Sequence, residues 1–127
     1  VSRIVLDAGA LIALERDKRE LWAVLKLAAL RSDTVLIPSA ALAQVWRGTP
    51  SQAKLARALQ HCLLAPFDDL ARRVGELCGR TKTRDICDAQ VAIVSADRGD
   101  ILYTSDPKDL DRLIAACGRR RPKIVRC

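Results

Sequence analysis

The chain is punctuated by short runs that are apolar at nearly every position and that each stop at a turn-forming residue. Arg3-Ile-Val-Leu6 ends at Asp7, Thr34-Val-Leu-Ile37 ends at Pro38, and Ile101-Leu-Tyr-Thr104 runs into Ser105-Asp106-Pro107. Leu63-Leu-Ala65 before Pro66 and Lys123-Ile-Val-Arg126 repeat the pattern in weaker form. A strand without polar alternation is buried on both faces, which calls for a parallel sheet covered by helices on either side. The segments between the runs have the length and period of those helices. Ala10 to Glu15 reads as a brief helix, and Arg19 to Leu30 as a second with Leu21, Val24, Leu25 and Ala28 on one face. Ser39 is placed to cap a helix through Trp46 that closes at Gly48, and Ser51 to cap another with Leu55, Ala58, Leu59 and Cys62 as its stripe. Leu70 to Gly79 is helical with Gly79 as its stop, Arg80 to Arg84 is a basic loop, and Ile86 to Ala96 is an apolar helix. Pro107 opens the last helix, which ends at Gly118. No repeat, low-complexity tract or linker interrupts the 127 residues. The expectation is one α/β domain over residues 1–127, a mostly parallel sheet of four to five strands with helices on both faces.

Composition narrows the function. With 22 Lys and Arg against 15 Asp and Glu, the net charge of +7 favours a polyanionic partner. Four aromatic residues (Trp22, Trp46, Phe67 and Tyr103) are too few for a base-stacking sheet of the single-strand RNA-recognition type. The two tryptophans fall in apolar helical faces and read as core. The single histidine, His61, excludes two-histidine acid–base catalysis and Cys2His2 zinc binding. Five cysteines, odd in number and without a C-x-x-C pair, read as small buried hydrophobes in a reducing cytoplasm. No apolar run approaches the roughly 20 residues that cross a bilayer, and Ser2 to Leu6 is too short for a secretory core. A membrane partner is therefore not expected. The chain contains no methionine and starts at Val1, which leaves its native start open.

The acids carry the chemistry. Asp7 follows the first run, and Asp106 follows the run that ends at Thr104, with Asp109 three residues on. Asp85 and Asp88 open the helix that leads into that run. Singly, each position is explained by helix capping, because an aspartate at a helix start accepts backbone N–H groups. Together they are not. Asp7 and Asp106 end two strands at the edge where open parallel sheets bind ligands, and Asp88 begins a helix able to face it. Three converging carboxylates repel one another unless a cation lies between them. Hard oxygen ligands suit one or two Mg2+ or Mn2+ ions, which also engage phosphodiester oxygens. An acidic metal site on a basic protein is what a metal-dependent nuclease requires.

Val5-Leu-Asp-Ala-Gly-Ala-Leu-Ile12, Asp88-Ala89 and Leu102-Tyr-Thr-Ser-Asp106 with Pro107 and Asp109-Leu110 resemble the PIN-domain family. The likeness is nearest to the VapC-type toxins of bacterial toxin–antitoxin pairs, and it extends over essentially the whole chain in length and element order. It implies a Mg2+- or Mn2+-dependent endoribonuclease with Asp7, Asp88 and Asp106 as metal-binding and catalytic carboxylates. Thr104 matches a recurring hydroxyl that bonds within the site, and Asp85 and Asp109 match supporting acids. The resemblance further implies a tRNA or rRNA substrate, a cognate antitoxin and a homodimer. One position departs from the pattern: Gln44 stands where the family usually has a glutamate, and residues 34–67 contain no acid before Asp68 to replace it. Its carbonyl oxygen offers a ligand without charge, so weaker metal binding is expected.

Two other readings remain open. A PIN-like module that binds RNA or protein with weak or no cleavage is the alternative that Gln44 suggests. A phosphotransferase with Asp7 as nucleophile would want a second acid at position 9, where Gly9 stands. Arg80, Lys82 and Arg84 adjoin the acids and are candidate RNA contacts, or a solvated loop. The run Arg119-Arg-Arg121 with Lys123 and Arg126 reads as an RNA-binding or a merely solubilising edge.

Overall fold

All five apolar runs are strands, and every neighbouring pair is parallel. In the computed structural model, which describes residues 2–127, the strands are β1 (Arg3–Leu6), β2 (Thr34–Pro38), β3 (Leu63–Ala65), β4 (Ile101–Thr104) and β5 (Lys123–Arg126). They lie in the order β3-β2-β1-β4-β5. Val5 stands opposite Leu36 on one side and Leu102 on the other, so β1 is central and its flanks are the two other most apolar runs. The chain winds outward from β1 to β3 and then returns to β4 on the far side of β1. The carboxyl ends of β1 and β4 therefore form the topological switch point, where a parallel sheet opens a crevice.

The helices are α1 (Ala8–Glu15), α2 (Arg19–Arg31), α3 (Ser39–Val45), α4 (Ala53–Leu59), α5 (Ala71–Thr81), α6 (Ile86–Arg98) and α7 (Pro107–Ala116). Because successive strand residues point to opposite faces, β1 feeds two cores. Ile4 and Leu6 pack with Val35, Ile37 and the inner residues of α1, α2 and α4. Val5 packs with Leu36, Leu102 and the inner residues of α5, α6 and α7. Gln90, wholly buried in α6, ties that helix to two others parts of the fold: its amide oxygen accepts the Ala40 N–H at 2.9 Å, and its nitrogen donates to the Ala65 carbonyl at 3.0 Å. This fixes the helix that carries Asp88.

Local expectations fail where a residue's usual signal was met by a neighbour. α5 runs through Gly79 to Thr81, and Lys82 takes the left-handed turn at φ 56° that the glycine was expected to supply. Arg80 is consequently helical, and the basic loop is shortened to its last residues. Ser39 is the first residue of α3 and caps nothing, and Ser51 sits in a single 3-10 turn, Pro50–Gln52. Gln52 does the tying there, accepting the Arg47 and Gly48 N–H groups and donating to the Val45 carbonyl and Glu15. Trp22 is half-buried and donates to the Leu14 carbonyl at 3.2 Å, whereas Trp46 is 38% exposed and leaves the core. All five cysteines are free and half-buried. Among the described residues, no helix is long and apolar enough to cross a membrane.

α5 and α6 are joined by a two-pronged ion pair, with Arg73 donating to Asp97 at 2.6 and 2.9 Å and Arg119 3.5 Å away. The Arg73 hydrogen bonds hold the Asp97 carboxyl below the ordinary carboxylate range. A depressed folded pKa stabilises the protein above the unfolded value, and that contribution is lost as pH falls through the folded value. Asp97→Asn is therefore expected to cost about 1 kcal/mol at neutral pH, with the gap to the parent closing in acid. Urea unfolding across a pH series measures this, and a gap that stays constant into acid would contradict the assignment.

Candidate functional site

The crevice is built from two turns pressed together. β1 ends at Leu6, and Asp7 turns the chain into α1 with its carboxyl accepting the Ala10 N–H at 2.9 Å. β4 ends at the wholly buried Thr104, whose hydroxyl accepts the Asp106 N–H at 2.9 Å and also bonds the Asp7 carboxyl. A single hydroxyl thus links the first acid to the backbone of the third. Gly9 shows how close the two turns are. A Cβ added there would lie 2.1 Å from the Ser105 Oγ and 2.5 Å from its Cβ. The glycine is required by this approach and not by its backbone angles. Position 9 thus has no room for the second acid that a phosphotransferase would want.

The other two acids come from α6. Asp85 caps it, accepting the Asp88 N–H at 2.9 Å, and Asp88 sits in its first turn. Asp106 caps α7 through the Asp109 N–H at 3.5 Å. Capping occupies one oxygen each of Asp85 and Asp106, while the Asp7 carboxyl accepts from Thr104, Gly9 and Ser105 besides its cap to Ala10. Asp88 caps nothing; in the first turn of α6 its charge meets the positive end of the helix dipole, which favours one acid there without explaining the three others that act on it.

The electrostatics are those of a crowded anionic pocket. Burial, then the charge and hydrogen bond of Asp85, then the charges of Asp7 and Asp106 push the Asp88 carboxyl up to about 7. Asp7, only 4% exposed, is likewise raised by burial, against hydrogen bonds from Thr104, Ala10, Gly9 and Ser105. Among the described residues, none of the four acids has an ion-pair partner. Carboxylates held together without a cationic side chain fit a hard divalent cation of the Mg2+ or Mn2+ kind.

Asp85 and Asp88 form a tighter group with Cys87, their ligand atoms lying within 4.8 Å of one another. The sequence reading treated Cys87 as a packing residue; its place inside Asp85-Ile-Cys-Asp88 was the available signal. Burial and the nearby acids push its thiol up to about 12. The remaining candidates lie further out. Asp109 offers its backbone N–H to Asp106, and its carboxylate is not among the charges acting on Asp88. Gln44 is exposed on α3 and lines a cleft with Ala8 and with Glu15, an acid from α1 that spacing along the chain did not associate with it. Arg80 reaches the Ala116 carbonyl at 3.5 Å, while Lys82 and Arg84 are exposed between α5 and α6.

Gly9→Ala is expected to cost about 1–3 kcal/mol by forcing the two turns apart. Gly75→Ala, an open position in α5, should instead stabilise by up to about 1 kcal/mol. Thermal unfolding of the pair is the measurement, and a Gly9→Ala protein as stable as the parent would refute the close approach.

No family model matches the sequence, and no curated protein matches it. Among solved structures, the chain is similar to the crystal structure of VapBC2 from Rickettsia felis bound to a DNA fragment from their promoter. The likeness has a TM-score of 0.69 and 18% sequence identity, and it covers 98% of both chains. At that identity the likeness speaks for the architecture alone: this chain shares its fold with that structure.

Proposed function

We propose that this chain is a Mg2+- or Mn2+-dependent endoribonuclease that hydrolyses RNA phosphodiester bonds, the toxin of a VapBC-type pair acting in the cytoplasm. The observation that carries the reading is Asp88: a first-turn carboxylate with no capping duty, raised to about 7 by burial and then by Asp85, Asp7 and Asp106. The helix dipole favours one acid there, and it does not ask for the charges of three others beside it. Asp7, Asp88 and Asp106 would hold the cation, with Asp85 supporting Asp88, and with Asp109 and Gln44 as outer contributors. When bound, one or two Mg2+ or Mn2+ ions supply the positive charge that lets these acids ionise together and that offsets charge gathering on a phosphodiester in its transition state. Thr104 keeps Asp7 oriented and Asp106 in register with it. The Asp88 carboxylate, free of any cap, is the group placed to orient the attacking water and accept its proton.

The similarity to a VapBC2 assembly supports an antitoxin partner, and the resemblance noted in the sequence supports a structured RNA target of the tRNA or rRNA class and a homodimer. Gln44 favours one alternative, a PIN-like module that binds RNA or protein with little cleavage.

Incubation of total RNA with and without Mn2+ or Mg2+ tests the reading. Cleavage should require the cation and fall by about 100-fold or more in Asp7→Asn and Asp88→Asn. Cleavage that survives chelation, or both substitutions, sinks it, and binding by the parent without cleavage points to the alternative. A second readout needs no activity. Mn2+ should raise the Tm of the parent by linkage, while Asp88→Asn should gain little from the ion and be more stable than the parent in chelator. Equal Mn2+ shifts for both proteins would remove Asp88 from the metal site.

A further inference from the structure

Two clefts lie along α1 on the sheet edge that carries the acids. One, of about 370 Å3, is lined by Ala8, Ile12, Arg16, Gln44 and Arg47 among others. The second, of about 180 Å3, is lined by Gly9, Ile12, Arg16, Lys18, Ser105 and Cys127 together with Ala13. Ile12 and Arg16 belong to both, so the clefts form one trough across the outer face of α1. The trough runs beside the acidic turns: Ala8, Gly9 and Ser105, which line it, stand within two residues of Asp7 or Asp106, although none of the four acids lines it.

Among the described residues six of the 22 Lys and Arg are ion-paired, and the cations along this trough are among the others, set apart by lining a cleft beside the acidic turns. Arg3, Lys54, Arg73, Arg119, Arg120 and Arg121 each have a carboxylate within ion-pair distance. Arg16, Lys18 and Arg47 are exposed, and among the described residues none of them is so paired. Of the acids nearest to them in sequence, Asp17 pairs with Lys54 at 2.9 Å, while Glu15 lines the first cleft itself and accepts from Gln52 at 2.7 Å, so three cations face one carboxylate there. Arg47 donates through one nitrogen to the Ala43 and Trp46 carbonyls, which leaves its remaining donors pointing to no protein partner. The floor is apolar, with Ile12 37% exposed at its centre. Unpaired cations along the walls of a narrow trough with an apolar floor suit one strand of a nucleic acid, whose phosphates need charge and whose bases need apolar surface.

We infer that this trough seats a single strand of RNA, with Arg16, Lys18 and Arg47 holding phosphates on the approach to the acidic pocket. The cations on the α1 side, and not the Arg80–Lys82–Arg84 segment, are then the main backbone contacts. This rests on the ribonuclease reading for the identity of the ligand. It also gives that reading what it lacks, a way for a polyanion to reach four carboxylates.

The test is fluorescence anisotropy with a labelled single-stranded oligoribonucleotide in chelator, over a series of salt concentrations. Each of Arg16→Ala, Lys18→Ala and Arg47→Ala should weaken binding several-fold and reduce the magnitude of the slope of log K against log salt by about 0.7. Arg16→Lys should keep the slope, and Arg80→Ala, Lys82→Ala and Arg84→Ala should leave it unchanged. Circular dichroism and Tm confirm that each variant is folded. The inference is overturned if the parent does not bind, if the trough variants keep the parental slope, or if the Arg80–Arg84 variants lose as much. It is also overturned if poly-glutamate of equal charge displaces the RNA as well as unlabelled RNA does. Trough-dependent binding by a parent that never cleaves with Mn2+ would count against the nuclease and leave the trough standing.

Discussion

The contact between the turn after β1 and the turn after β4 is the constraint on which the site depends. Parallel pairing brings the two strand ends side by side, with the Asp7 N–H donating to the Tyr103 carbonyl at 3.2 Å. The absent side chain at Gly9 then lets α1 start against Ser105. Only within that separation can one Thr104 hydroxyl serve both Asp7 and Asp106. The switch point by itself guarantees a crevice between β1 and β4; the glycine and the threonine decide that two carboxylates share it.

Capping and ligand binding are often set against each other as explanations for aspartates at helix starts, and here they can be separated. Only α1, α6 and α7 have a side-chain cap bond, each from an aspartate. The longer helix α2 and the helices α3, α4 and α5 do without one. Serine or threonine would cap about as well as aspartate, so the caps alone do not account for negative charge at all three positions. Asp88 then adds a further charge where no cap is needed. The surplus is charge, and it has been placed at a cost, because burial and mutual repulsion raise Asp7 and Asp88 above the ordinary carboxylate range. Such tension between local electrostatics and stability is a mark of functional sites.

How much of this was legible in the sequence depended on whether the signal was local. The five strands were readable because burial on both faces leaves an apolar run, and Asp7, Asp85 and Asp106 were readable because the residue that ends a strand or starts a helix is fixed by its position in the chain. The end of α5 was misread because glycine is a sufficient but not a necessary means of turning left-handed, and Lys82 turned instead. Cys87 was passed over because an apolar setting and an acidic one meet at the same side chain. Glu15, Arg16 and Lys18 were invisible as neighbours of Gln44 and Ser105, since they come from the far end of α1 and its following turn. Whether a cation is paired is likewise a fact about three-dimensional neighbours. Composition counts 22 Lys and Arg, and it says nothing of which ones have spent their charge on a carboxylate.

That last point bears on how a positive protein presents a negative pocket. A net charge of +7 acts over distances of about 10 Å at ordinary ionic strength and beyond that is screened. It favours the approach of a polyanion to the surface as a whole, without choosing a place. Choice requires cations that are not already neutralised. Around Asp97, Asp100 and Asp111 five arginines share three carboxylates, so their field is reduced without being cancelled. Arg16, Lys18 and Arg47 keep theirs, along a trough that opens beside Asp7. Attraction there is short of the acids by only a few residues, and the acids' own repulsion is what a divalent cation would remove. Binding and chemistry are thereby separable in this fold: α1 carries the cations that gather a phosphate backbone, and the helix and strand ends behind it carry the carboxylates that act on one phosphate of it.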